Sequence, residues 1–207
     1  VNSPGHRITK IDFSESEAEI VIGNNNGHVK IVDAVFGEVK NQGIDVKSEV
    51  TSITYVSSDM VAIGTAKGFV YLWEINGGIK RRYKLHKGQV HKLSIYDNIL
   101  YSIGGDAKII SFDLNSRERI AHLTLNTESI LDMSLLGESG IILAIDASGD
   151  LSKIDINTLT VKGVLKVGKE FNNIEIDPMQ TYCFIGGLGK DIEIIEIWNL
   201  IPSRSKI

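Results

Sequence analysis

Cysteine is nearly missing from this chain of 207 residues: Cys183 is the only one, so no disulfide can close within it. A single thiol and no staple fit a reducing compartment, and the expectation is an intracellular protein, cytoplasmic or nuclear. Long apolar runs are missing too. The stretch Ile141-Ile142-Leu143-Ala144-Ile145 is far shorter than the ~20 residues a spanning helix requires, so no membrane span is expected. Positive charge is not in excess, with 22 Lys and Arg against 26 Asp and Glu and a formal net charge of −4. No whole-chain field would gather nucleic acid or anionic lipid, and nucleic acid is disfavoured as a partner. The start, Val1-Asn2-Ser3-Pro4-Gly5, has neither the basic-then-apolar layout of a secretory leader nor an initiator methionine, which predicts a fragment or a processed product. What is present is an ordinary globular mixture, 43% hydrophobic and 23% charged, able to bury a core.

The informative feature is a repeat. A six-residue pattern starts at residues 8, 50, 90, 130 and 171: Ile8-Thr-Lys-Ile-Asp-Phe13, Val50-Thr-Ser-Ile-Thr-Tyr55, Val90-His-Lys-Leu-Ser-Ile95, Ile130-Leu-Asp-Met-Ser-Leu135 and Phe171-Asn-Asn-Ile-Glu-Ile176. Its fourth and sixth positions are apolar around a polar fifth, the alternation of a strand with one packed face. A second strand follows each copy and ends at small residues, as in Met60-Val-Ala-Ile-Gly64 and Leu100-Tyr-Ser-Ile-Gly104. Turn tetrads such as Asn24-Asn25-Asn26-Gly27 come next, where Gly and Asn tolerate the left-handed backbone of a short hairpin. The third strand carries an aromatic or branched residue followed by a polar one: Val32-Asp33, Trp73-Glu74, Phe112-Asp113, Ile154-Asp155 and Trp198-Asn199. Apolar flanks such as Ile31 and Leu72 predict burial on both faces. A more polar fourth strand, as in Ile79-Lys-Arg-Arg-Tyr-Lys-Leu85, closes each unit in the manner of a protected edge.

Four short strands per unit, a period of about 40 residues and an aromatic-acid pair on the third strand resemble the WD-repeat β-propeller blade. The resemblance covers about His6 to Leu200 and implies an all-β propeller of five four-stranded antiparallel blades, near residues 6–46, 47–86, 87–126, 127–167 and 168–202. The family most often closes with seven blades, so it also implies a larger ring with its missing blades in a longer chain, a five-bladed ring and completion by a partner chain being the alternatives. Trp73, Phe112 and Trp198 take the blade aromatic position. By the same resemblance His86, Ser102, Asp106 and Phe112 take the places of a hydrogen-bonded structural cluster in the third blade, with Phe112 standing where the family has a tryptophan donor. The turn acid is replaced by Asn26, Lys67 and Ser148 in other blades, which marks a divergent member.

Chemistry is hard to find in this pattern. The five histidines, His6, His28, His86, His91 and His122, do not form a metal-ligand spacing; His86 and His91 fall on a blade lead-in and a strand, so no metal is expected. Gly186-Gly187-Leu188-Gly189-Lys190 lacks the spacing, the following Ser or Thr and the helix of a phosphate-binding loop, and reads as a hairpin turn. No nucleophile elbow is present, and no catalytic residue and no cofactor are predicted. The basic stretch Lys80-Arg81-Arg82-Tyr83-Lys84, with His86-Lys87, reads first as a charged edge and second as a contact for phosphate, acidic lipid or acidic peptide.

The expectation is therefore a non-catalytic scaffold or adaptor subunit that binds other proteins within a larger complex, as the family resemblance implies. Asn25, Lys67, Lys87, Gln89 and Ser148 are the contact candidates on the face of lead-ins and hairpin turns, with Arg81 and Arg82 on the edge. The competing expectation is a propeller enzyme or small-ligand binder with a central pocket.

Overall fold

The structure, a computed structural model, describes residues 6–188 and 192–196. Among the described residues there are strands β1 to β19 and no helix. The first blade holds β1 (Ile8–Phe13), β2 (Glu19–Asn24), β3 (His28–Asp33) and β4 (Val39–Asp45). The second holds β5 (Val50–Ser57), β6 (Met60–Thr65), β7 (Phe69–Glu74) and β8 (Ile79–Lys84), and the third β9 (Val90–Tyr96), β10 (Ile99–Gly104), β11 (Lys108–Asp113) and β12 (Glu118–Thr124). The fourth is β13 (Ile130–Leu136), β14 (Ile141–Asp146), β15 (Asp150–Asp155) and β16 (Val161–Lys166); β17 (Phe171–Ile176), β18 (Tyr182–Gly187) and β19 (Glu193–Glu196) belong to the fifth. Every sheet runs in simple chain order, antiparallel throughout. The fourth strand expected of the last blade, and Trp198 with it, lie outside the described residues.

Sequence explains why these strands stop where they do. In Asp33, Asp113 and Asp155 a carboxylate Oδ1 accepts N–H groups two and three residues on, from Val35 and Phe36, Asn115 and Ser116, and Asn157 and Thr158. The acid of the aromatic-acid pair thus ends the third strand by capping its turn, the local bonding that Asp favours. Those backbone donors lead in holding the Asp33 and Asp155 carboxyls below their ordinary value. Gly43 is required by geometry: at φ +72° a Cβ there would fall 1.6 Å from the Val29 carbonyl oxygen, where β4 slips register against β3.

The core is divided among the blade junctions. Val21, Val29 and Ile31 pack with Ile53, Val61, Ile63, Tyr71 and Trp73 between the first two blades. Ala62, Val70 and Leu72 meet Val90, Leu93, Leu100 and Phe112 at the next. Tyr101, Ile103 and Ile109 meet Ile130, Met133, Ile142 and Ile154, and Leu143, Ile145 and Leu151 meet Phe171, Ile174, Cys183 and Ile185. The period of two on each second strand sends alternate residues to the blade before and the blade after. That parity exposes the two ends of the stack: Ile8 and Ile11 are 59% and 54% exposed, although their counterparts in all later blades are buried. Phe184, at the other end, is 37% exposed where Val21, Ala62, Tyr101 and Leu143 are buried.

Candidate functional site

The inner strands β1, β5, β9, β13 and β17 converge on one open cavity of about 950 Å³, with Arg7, Glu49 and Gln89 among its lining residues. Two kinds of bond hold the strands together. At the second position of a strand, Thr9 and Thr51 hydroxyls and the His91 Nδ1–H donate to the carbonyls of Val50, Val90 and Ile130 on the next blade, each at 2.6 Å. Asp12, Ser52 and Asp132 accept from the N–H groups of Tyr55, Leu93 and Ile174, again one blade on, at 2.8–3.0 Å. Leu131 stands where a hydroxyl donor is absent. There Lys92 reaches Asp132 at 2.9 Å and Glu175 at 3.3 Å, linking three blades across the channel.

One face of the stack carries the lead-in loops and the hairpin turns between second and third strands. A backbone bond repeated in all five blades ties the two together: Asn25, Ala66, Gly105, Ala147 and Leu188 donate to Arg7, Glu49, Gln89, Ser129 and Glu170. Asn25 Oδ1 returns a bond by accepting from Arg7 N–H, leaving that side chain half-buried. Lys67, Lys87, Gln89 and Ser148 are exposed on the same face. Gln89 alone of these four lines the central cavity.

His86 lies beneath this face and is fully enclosed. Its Nδ1 is 2.7 Å from Asp106 Oδ1 and its Nε2 2.9 Å from Ser102 Oγ. A carboxylate only accepts, so Nδ1 carries the proton and, in the neutral ring, Nε2 accepts from the Ser102 hydroxyl. The other Asp106 oxygen accepts from Lys87 N–H at 2.9 Å. Burial lowers the His86 pKa and outweighs the Asp106 carboxylate that would raise it. At Asp106 burial works upward, but the Lys87 N–H and His86 together prevail and the pKa is lowered. Phe112 is not part of this polar group: it packs edge-on to Tyr83, with ring centroids 4.7 Å apart. Trp73 is buried at the first junction.

Gly104 makes the arrangement sterically accessible, since a Cβ there would sit 2.7 Å from His86 Nδ1. In three other blades the same strand end carries a side chain that folds over its own turn. Asn24 Oδ1 accepts from Asn26 and His28, Thr65 Oγ1 from Phe69, and Asp146 Oδ1 from Ser148 and Asp150. These three blades are thus anchored two residues before the turn-acid position, a device hidden in the sequence because Asn, Thr and Asp share it. His6, ahead of β1, is exposed and stacks parallel on His28 at 5.6 Å.

The structure does not bring the histidines together as ligands, because His86 faces Asp106 and Ser102 while His91 faces the Ile130 carbonyl. Among the described residues no three His, Cys, Asp or Glu side chains converge to hold a metal, and no helix is long and apolar enough to cross a membrane. Cys183 is buried, and burial first, then Glu175, pushes its thiol up to about 12, a value that keeps it protonated. Gly186 and Gly187 end β18; Gly189 and Lys190 lie outside the described residues. Arg81 and Arg82 sit on β8, at the outer edge of the second blade, away from the lead-in face.

No family model and no curated protein matches this chain. Solved structures do share its fold. It is similar to the computationally designed Ika8 protein, with a TM-score of 0.80 and 20% identity over 92% of this chain and 58% of that one. It is also similar to a chain of the Mitotic Checkpoint Complex, with a TM-score of 0.85 and 13% identity over 93% of this chain and 62% of that one. The chain therefore spans about three fifths of the length of each. At such identities the likeness shows the fold, an array of β-propeller blades.

Proposed function

We propose that this chain is a divergent WD-repeat propeller segment that works as a non-catalytic scaffold, a subunit of an intracellular multi-protein complex. The observation that carries the reading is the repeated bond from hairpin turn to lead-in, which holds five sets of loops on one rigid face while leaving Lys67, Lys87, Gln89 and Ser148 exposed. Polar side chains on a fixed platform suit recognition of another protein, whose binding then costs little ordering of the scaffold. The buried titratable groups support the blades instead of facing a reacting centre: His86 and Asp106 bond one another beneath the surface. The likeness to a chain from a complex adds support at the level of fold.

The exposed Ile8, Ile11 and Phe184 support a second part of the proposal. Further blades cover both end faces and complete a larger ring, seven blades being the count that the WD-repeat resemblance implies. Cross-linking mass spectrometry on affinity-purified protein tests the scaffold: stoichiometric partner proteins joined through Lys67 or Lys87 are expected. A competing reading, a small-ligand binder or enzyme using the central cavity, is favoured by the polar channel around Lys92, Asp132 and Glu175. A small molecule retained in native mass spectra, with no protein captured, would establish that reading over the scaffold.

A further inference from the structure

The outer strands of the four completely described blades are not alike. β4, β12 and β16 each slip register against their inner neighbour, so their edges are bent by bulges. β8 pairs with β7 residue for residue from Phe69↔Lys84 to Glu74↔Ile79 without a slip. Bulging is one of the ways a sheet keeps its open edge from pairing with another strand. β8 lacks it, and its far side pairs with no strand among the described residues.

The side chains of β8 give that straight edge one sign of charge. Lys80, Arg82 and Lys84 recur at every second residue and lie over aromatic rings on β7: Lys80 is 5.6 Å from the Tyr71 centroid, and Arg82 and Lys84 are 4.7 and 4.8 Å from that of Phe69. Lys80 also donates to the Asp45 carbonyl and Lys84 to the Lys67 carbonyl. Among the described residues, no carboxylate lies within ion-pair distance of Lys80, Arg81, Arg82 or Lys84, although Lys40, Lys162 and Lys166 on other outer strands each have one. Ring contacts and carbonyls position these cations but leave their charge uncompensated, in a chain whose net charge is negative.

We infer that β8 is a docking edge for an extended acidic segment of a partner protein, which adds as a fifth strand to the second blade. An added strand has a two-residue side-chain period of about 6.8 Å, so carboxylates at alternate positions meet Lys80, Arg82 and Lys84 in turn. The backbone supplies affinity by completing the β8 hydrogen bonds, and the cations supply selection for acid. A second copy of this chain is a poor occupant, because antiparallel pairing of β8 with itself would set cation against cation. An anionic membrane offers charge but neither strand period nor backbone donors. The inference deepens the scaffold reading and rests on it for the partner being a protein.

The test uses the full 207-residue chain and a fluorescein-labelled ten-residue peptide alternating Glu and Thr, followed by fluorescence anisotropy. Saturable binding is expected, weakened at least tenfold by Arg82→Glu with Lys84→Glu, and equally by N-methylation of every second peptide nitrogen. Lys162→Glu with Lys166→Glu, the same charge change on bulged β16, is expected to leave affinity within about twofold. Equal loss in both double variants, or undiminished binding of the N-methylated peptide, overturns the inference. So does binding that is confined to phosphatidylserine-containing vesicles. Should the Glu variant fail to fold by circular dichroism, Arg82→Gln with Lys84→Gln and the N-methylated peptide on the unaltered chain decide the matter. Partner capture through Lys67 and Lys87 that survives an Arg82→Glu, Lys84→Glu change, with no peptide binding, would sink the β8 edge alone and leave the scaffold standing.

Discussion

His86 is enclosed, uncharged and bonded through both ring nitrogens, which makes it a proton-linked stability element. Its pKa is lowered by folding, so the unfolded chain binds the proton better. Its contribution is complete above the unfolded histidine value of ~6.5 and is lost as pH falls through the lower folded value. Asp106 is also lowered, so it acts in the same direction, with its loss beginning only below the unfolded aspartate value of ~3.9. Urea unfolding at pH 7 and pH 5 is expected to show a larger fall in stability for the unaltered protein than for His86→Gln. At pH 7 that substitution is expected to cost about 2–3 kcal/mol, because it breaks a charge-assisted bond and leaves Asp106 partly unpaired. An equal pH response in both proteins would show that the imidazole is not the titrating group. The bonding of His86 with Asp106 and Ser102 was legible only as something the WD-repeat resemblance implies; that Phe112 would turn instead to Tyr83 was not, because its partner comes from a different strand of the preceding blade.

Each blade is a small sheet with most of its apolar surface shared, and the bonds between inner strands register one sheet on the next. Thr9, Thr51 and His91 make the same donation although their side chains differ, so what matters is a donor within reach of the next blade's first carbonyl. Thr51→Val removes the donor at nearly constant volume, leaves a buried carbonyl short of a partner, and is expected to lower the unfolding free energy by about 1–2 kcal/mol in urea. Thr51→Ser is expected to recover most of that loss; failure to do so would assign the effect to the methyl group. These contacts join residues about 40 positions apart. The repeat discloses the positions but not the pairing, since nothing in a single strand's alternation says which neighbour its polar face meets. The edges differ for the same reason: β4 and β8 both read as polar fourth strands, yet a left-handed Gly43 bends one and no such residue bends the other.

Among the described residues, the stack has four filled junctions and two open faces. Substituting a carboxylate at equivalent positions reads out which faces are covered. In the 207-residue chain Ile53→Asp is expected to cost about 3 kcal/mol or more, because it buries a charge at a packed junction. Ile11→Asp is expected to change stability by less than about 1 kcal/mol, since that side chain already meets water. In a longer protein with a preceding blade the Ile11 substitution becomes as damaging as that at Ile53, measured by chemical denaturation of both lengths. An unchanged Ile11→Asp effect in that longer protein would count against a covering blade.

The repeat, the strand class of each segment and the turns are legible in the chain alone, because side-chain alternation and glycine conformation act over a few residues. Asp33, Asp113 and Asp155 stand out in the repeat as the polar residue that follows an apolar one, and the structure shows what they do there: each caps the turn that follows. Which side chain stitches one blade to the next, which outer edge stays straight and which isoleucines remain in water emerge from the packed fold. Those outcomes depend on distances between units about 40 residues apart, and such separations are set by packing whole sheets against one another.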